Sequence, residues 1–243
     1  MVAGAPGVPV AWSDQGVLAA DYRPWAGVRL GVQAYERASG GLLLVAPRAG
    51  EPFTTGAFAV GSGTSRGIAA DCALSTARLG IVASYGLQRV RLEYDESSYV
   101  PDHGAAHLIE GGVTVFPTPT LSVRLGGAGA LGRRTTTVSG GFEWEACNLL
   151  DQGCEFGGSP NSSGGPLGAT ELPSYFRVDL AVRKHWHLEV GGRDALIGLF
   201  GTVTNILGRK NLLTYARDPS TGELAGIEMR PVSPLVAGLD WRF

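Results

Sequence analysis

Charge is scarce in this 243-residue chain: 17% of its residues are Asp, Glu, Lys or Arg, where a soluble domain carries about 25%. Long hydrophobic runs do not replace the missing charge. No stretch approaches the roughly 20 consecutive apolar residues of a membrane-spanning helix, because Arg, Asp, Gln, Ser and Gly interrupt every run. That excludes insertion as helices. A basic excess is also lacking, and a net charge of −2 with a pI near 6.1 gives no electrostatic reason to expect nucleic acid as a partner. The first twelve residues lack the basic start and apolar core of a secretory signal. Groupings for catalysis are missing too. No Gly-x-Ser-x-Gly elbow occurs, and no His stands in a triad or metal-ligand spacing, so neither an enzyme nor a bound metal or cofactor is expected.

Cysteine is sparse, with three in all. Cys147 and Cys154 lie close together in a Gly/Ser/Asn/Pro-rich segment. This spacing suits a loop disulfide in an oxidising compartment, with two unpaired thiols as the lesser alternative. Cys72 alternates with Ile68, Ala70 and Leu74 and reads as a small apolar filler.

What is present is glycine, 37 residues of it, within a chain that is 44% hydrophobic, and a recurrent alternation of period two. In Tyr175–Arg183, Phe176, Val178, Leu180 and Val182 interleave with Arg177, Asp179, Ala181 and Arg183, one greasy face against one charged face. Val28–Arg37 and the run from Leu79 behave likewise. Further strands are predicted at about 15–22, 64–75, 105–116, 121–134, 195–206 and 235–243, giving nine. In the last of these, Leu235, Ala237, Leu239, Trp241 and Phe243 oppose Val236, Gly238, Asp240 and Arg242.

The connections alternate in length. Short ones fall at Arg23–Gly27, Thr76–Arg78, Pro117–Thr120 and His185–Asp194; long ones run about 38–63, 94–104, 135–174 and 207–234. Outer-membrane barrels have short periplasmic turns and long extracellular loops, and an up-and-down chain must keep that parity. The expected fold is therefore all-β, an antiparallel up-and-down transmembrane β-barrel. Its inward face is expected to hold Arg29, Gln33, Arg124, Arg177, Asp179, Arg183, Asp240 and Arg242. Parity starts the first strand outside, so residues 1–14 read as an extracellular loop remnant, and the odd strand number implies that the barrel is partial. Binding selectivity is expected in the long loops, with Tyr99, Phe142, Trp144, Phe156 and Tyr215 as the aromatic candidates. His185 and His187 flank Trp186 in a short turn, where an interfacial Trp is the simpler reading than a chelating pair; His103 and His107 sit where a loop returns to the wall.

Several stretches resemble the closing strands of TonB-dependent receptors. Tyr175 to Lys184 is similar to that family's "R-x-D-L" strand. Val203-Thr204-Asn205-Ile206-Leu207-Gly208-Arg209-Lys210-Asn211 is similar to its "N-L-F-x-x-x-N" turn, and Pro234 to Phe243 to its "P-x-x-x-G-L-x-W-x-F" finish. Upstream, Ala34-Tyr35-Glu36-Arg37, Gly61 to Ile68, Tyr85 to Val90 and His107-Leu108 look like further family strands, so the resemblance covers nearly the whole chain. It implies a plugged receptor barrel of about 22 strands, of which this chain supplies some nine C-terminal strands without the plug and its TonB contact. Trp241 and Phe243 resemble the terminal signal read by the barrel-assembly machinery. The resemblance implies active uptake of a scarce ligand such as a siderophore or other metal chelate, a cofactor or a glycan. Ile206-Leu207-Gly208 and the cysteine-bearing stretch 143–168 depart from the family pattern and leave the substrate open. The residues alone also fit a small stand-alone barrel serving as porin, adhesin or anchor, with a tenth strand in Val2–Trp12 or Phe142–Cys147, or a soluble β-sandwich that binds a ligand.

Overall fold

The computed structural model describes residues 9–45, 58–102, 104–144, 158–218, 221–229 and 234–242, and among them it contains strands and no helix. In chain order the strands are β1 (Trp12–Tyr22), β2 (Val28–Val45), β3 (Phe58–Ser75), β4 (Leu79–Tyr94), β5 (Ser97–Tyr99), β6 (His107–Thr118), β7 (Leu121–Leu131) and β8 (Arg133–Thr135). They continue as β9 (Val138–Trp144), β10 (Gly158–Gly164), β11 (Thr170–Leu172), β12 (Tyr175–Val190), β13 (Arg193–Val203), β14 (Leu212–Arg217), β15 (Leu224–Glu228) and β16 (Leu235–Arg242).

One large antiparallel sheet runs β1-β2-β3-β4-β6-β7-β12-β13-β16, with β5 folded back on the end of β4. Its nine-strand path follows the nine strands expected from alternation. Each strand pairs with its neighbour in this chain order, as in an up-and-down meander, and β1 and β16 are its two edges. The sheet is not closed into a barrel among the described residues.

Several boundaries differ from the sequence expectation. His185–Asp194 is not a turn: β12 continues to Val190 and β13 begins at Arg193. The chain reverses at Gly191 (φ 62°) and Gly192 (φ 76°), the two left-handed residues that a tight hairpin requires and that glycine adopts without strain. The strand expected at 121–134 stops at Leu131, because Gly132 (φ 66°) turns the chain into the separate β8. The strand expected at 195–206 leaves the sheet after Val203. The long connections are also structured. β9, β10, β14 and β15 form a second sheet of order β10-β9-β14-β15, and β8 pairs with β11. β9 meets β14 in a short parallel bridge, Ala216 opposite Val138. Phe142 and Trp144 therefore lie in a strand of this second sheet and supply no tenth strand to the large one.

Directly opposed residues in neighbouring strands point to the same face, so the register sorts the described side chains of the large sheet. One row reads Val28, Leu74, Ile81, Val113, Leu125, Leu180, Val203, Leu235 across eight strands. That face is apolar yet uncovered: Leu18 is 79% exposed and Leu239 58%. Cys72 lies on it as a free, exposed thiol and fills no core. Buried apolar side chains among the described residues are only Leu44, Ala105, Leu172 and Ala195. The accessible surface is 16909 Å², against on the order of 10,000 Å² for a compact soluble monomer of this mass.

Candidate functional site

The opposite face is polar, and the sheet curls around it. A cavity of about 730 Å³ is lined by residues from seven strands, β2 through β13, which a flat sheet does not allow. Asp71 faces Ser84, Ser84 faces Glu110, Glu110 faces Ala128 and Ala128 faces Arg177 in one continuous row. All eight residues expected on the inward face share this side: Arg29, Gln33, Arg124, Arg177, Asp179, Arg183, Asp240 and Arg242.

Many of the charges are paired within the face. Arg29 Nε donates to Asp21 at 2.5 Å, Arg177 meets Asp179 at 3.0 Å, and Arg183 donates to Asp240 at 2.7 Å. Pairs this exposed contribute about 0–1 kcal/mol each, so they set side-chain positions more than they hold the sheet. Asp71, Ser84 and Glu110 belong to the cavity as well and were absent from the expectation. The signal for Glu110 was available, since Glu110 alternates with Ile109 and Val113 just as Asp179 does with Val178.

Nearer the long loops, a second cavity of about 500 Å³ is lined in part by Gln15, Tyr35, Arg37, Ser39 and Ser65. Arg37 Nε donates to Ser13 Oγ at 2.8 Å, Ser65 Oγ donates to the Tyr35 hydroxyl at 3.4 Å, and Gln88 Nε2 donates to the Ala105 carbonyl at 3.0 Å. At the short-turn end, His185 lines a third pocket with Arg183, Asp240 and Arg242. His185 and His187 both point inward with ring centroids 5.6 Å apart, whereas Trp186 points outward beside Lys184. Trp186 and Trp241 both face Ile197, which places two indoles flanking an isoleucine at that edge of the apolar face.

The stretches around Arg177 and Asn205 form one device. Asn205 adopts φ 52°, and its backbone N–H donates to Asp179 Oδ1 at 2.8 Å. Ile206 N–H donates to the Val178 carbonyl at 2.8 Å, and Arg209 donates to the Ser174 carbonyl at 2.9 Å. Asn211, 6% exposed, completes the clamp on Phe176. The chain that leaves β13 is thus bound along the first residues of β12, at the long-loop end, and the Asp and Asn side chains supply the partners that strand pairing no longer provides.

Three long connections are joined by buried polar contacts. Arg133 donates to the Leu212 carbonyl at 2.9 Å, the Thr135 and Thr214 hydroxyls lie 2.8 Å apart, and Thr136 donates to Asp102 at 2.7 Å. Burial pushes the Arg133 guanidinium below its ordinary value, against the opposing influence of Tyr175, whose ring it overlies at 5.9 Å.

Of the loop aromatics, Tyr99 packs edge-on against Tyr94 at 6.0 Å, and burial raises the pKa of its phenol. Tyr215 lies in β14 opposite Gly226. Neither lines the 730 Å³ cavity, so the structure does not gather them into that site. The side chains of Phe142 and Trp144, and the whole of Phe156, Cys147, Cys154, His103 and Phe243, lie outside the described residues. Among the described residues, no cluster of three or more His, Cys, Asp or Glu side chains is placed to hold a metal ion.

No protein-family model matches the chain, and no curated protein matches it at a significant level.

Proposed function

We propose that this chain forms part of the wall of a transmembrane β-barrel in a Gram-negative-type outer membrane, and that the barrel is a TonB-dependent receptor taking up a scarce ligand. The observation that carries the membrane part is the division of the large sheet into an uncovered apolar face and a concave charged face. Bilayer strands alternate lipid-facing and lumen-facing residues in this way. On β4 the outward apolar positions span Leu79 to Leu87, close to the roughly 9–11 residues that a tilted strand needs to cross.

Both edges of the sheet are open among the described residues, and lipid does not tolerate unpaired backbone groups. A wall of this kind needs further strands to close it, which a larger receptor barrel supplies. The receptor part rests on the resemblance of the Tyr175–Lys184, Val203–Asn211 and Pro234–Phe243 stretches, of which the first two meet in space. A soluble sandwich buries one sheet against another, and the four buried apolar side chains among the described residues do not furnish such a core.

Cell fractionation followed by electrophoresis of heated and unheated samples tests the membrane reading. The protein is expected in the outer-membrane fraction with faster migration before heating. Recovery in the soluble fraction with no heat-dependent shift sinks it. Uptake assays with labelled metal chelates, cobalamins and oligosaccharides, in cells with and without an energised TonB system, test the receptor reading.

A further inference from the structure

Across β2, β3 and β4 the outward row Ala34–Ile68–Leu87 is followed, one step nearer the long loops, by the row Glu36–Arg66–Arg89. Arg66 and Arg89 stand directly opposite each other at the loop-side border of the apolar face, with Arg91 one step further along β4 on the same side, and like charges so placed destabilise a sheet. Both are exposed, and neither has an ion pair or hydrogen bond to another described residue. Glu36 leaves the row with two positive charges against one negative.

A groove of about 840 Å³ passes beside this row, and Leu18, Ile68 and Leu87 line its apolar part. Gly16 lies in it with no atom within 4 Å of the place its Cβ would occupy, so the missing side chain keeps the trough open. An apolar trough ending at two facing guanidinium groups complements an amphiphile with an anionic head. Guanidinium forks match phosphate oxygens in two-point contacts, and such charge-assisted bonds gain strength away from bulk water.

We propose that this groove binds a phosphate-bearing lipid of the leaflet nearer the long loops, with an acyl chain along Leu18, Ile68 and Leu87 and its phosphate between Arg66 and Arg89. The assignment rests on the membrane reading above. The phosphate relieves the repulsion between the two arginines, which gives it a role in both binding and sheet stability. Snorkelling toward water explains a single basic side chain at this depth, but it gives no preference for one lipid head over another.

The test uses the protein extracted from membranes in dodecyl maltoside, with native mass spectrometry counting bound lipid. Diphosphoryl lipid A and its dephosphorylated form are titrated separately. Diphosphoryl lipid A is expected to bind at least about tenfold more tightly than the dephosphorylated form, as one charge-assisted contact implies. R66Q/R89Q is expected to abolish that preference, R66K/R89K to keep part of it, and excess inorganic phosphate to leave the lipid bound. Equal binding of the two lipid A forms by the unaltered protein overturns the proposal without requiring any variant to fold. Unchanged preference in R66Q/R89Q, or displacement by inorganic phosphate, also overturns it, while the membrane reading stands as long as the protein fractionates with the outer membrane. Recovery of the unaltered protein as a soluble species removes both.

Discussion

Asn211 grips the backbone of Phe176 with both ends of its side-chain amide: Nδ2 donates to the carbonyl at 2.9 Å, and Oδ1 accepts from the N–H at 3.0 Å. The amide thus stands in for a strand partner at the start of β12, where β13 has already turned away. N211A is expected to leave two partly buried backbone groups unpaired and to cost about 1–3 kcal/mol. Urea unfolding followed by tryptophan fluorescence reads the loss. A change below a few tenths of a kcal/mol shows that the clamp is dispensable.

Thr135 and Thr214 join two long connections through their hydroxyls, and Thr135 is 1% exposed. T135V strands the Thr214 hydroxyl and is expected to destabilise by about 1–2 kcal/mol, whereas T135V/T214V recovers part of the loss because neither partner remains unsatisfied. Strict additivity of the two single changes refutes this coupling.

Ala83 and Ser84 are sequence neighbours on opposite faces. Ser84 stands between Asp71 and Glu110, while Ala83 stands between Cys72 and Gly111. S84R is expected to be tolerated, with two carboxylates as neighbours. A83R places a charge toward lipid and is expected to cost about 2–4 kcal/mol if it lies near the bilayer midplane. Assembly yield in the outer membrane and urea midpoints report the difference, and equal effects of the two variants sink the assignment of faces.

Cys72 is exposed on the apolar face. In a C147S/C154S background, a membrane-impermeant sulfonated maleimide is expected to leave it unlabelled in intact membranes, and pyrene maleimide to label it. Rapid reaction with the sulfonated reagent places that face in water and contradicts the bilayer reading.

The nine strands of the large sheet and the side of each inward residue were legible because alternation is a local property: a strand that puts Phe176 and Val178 outward must put Arg177 and Asp179 inward. Asp71 and Glu110 obey the same parity but escaped notice, since each is a single charge in a Gly- and Ala-rich run. Lys184, His185 and His187 look like turn residues, so the sequence alone ends β12 several residues before Val190. Strand parity in fact places both histidines inward, and Lys184 donates to Thr120 in a neighbouring hairpin.

By itself the sequence determined the nine strands of the large sheet, its two faces and its meander order, because each depends on periods of two and on turn chemistry within a few residues. Only the tertiary structure decided what depends on distant segments meeting. The parallel bridge between β9 and β14, the threonine pair across connections 79 residues apart and the docking of Asn205 and Asn211 on β12 are of this kind. So is the opposition of Arg66 and Arg89. Each residue alone reads as an ordinary exposed charge, and only the register between β3 and β4 makes them face each other.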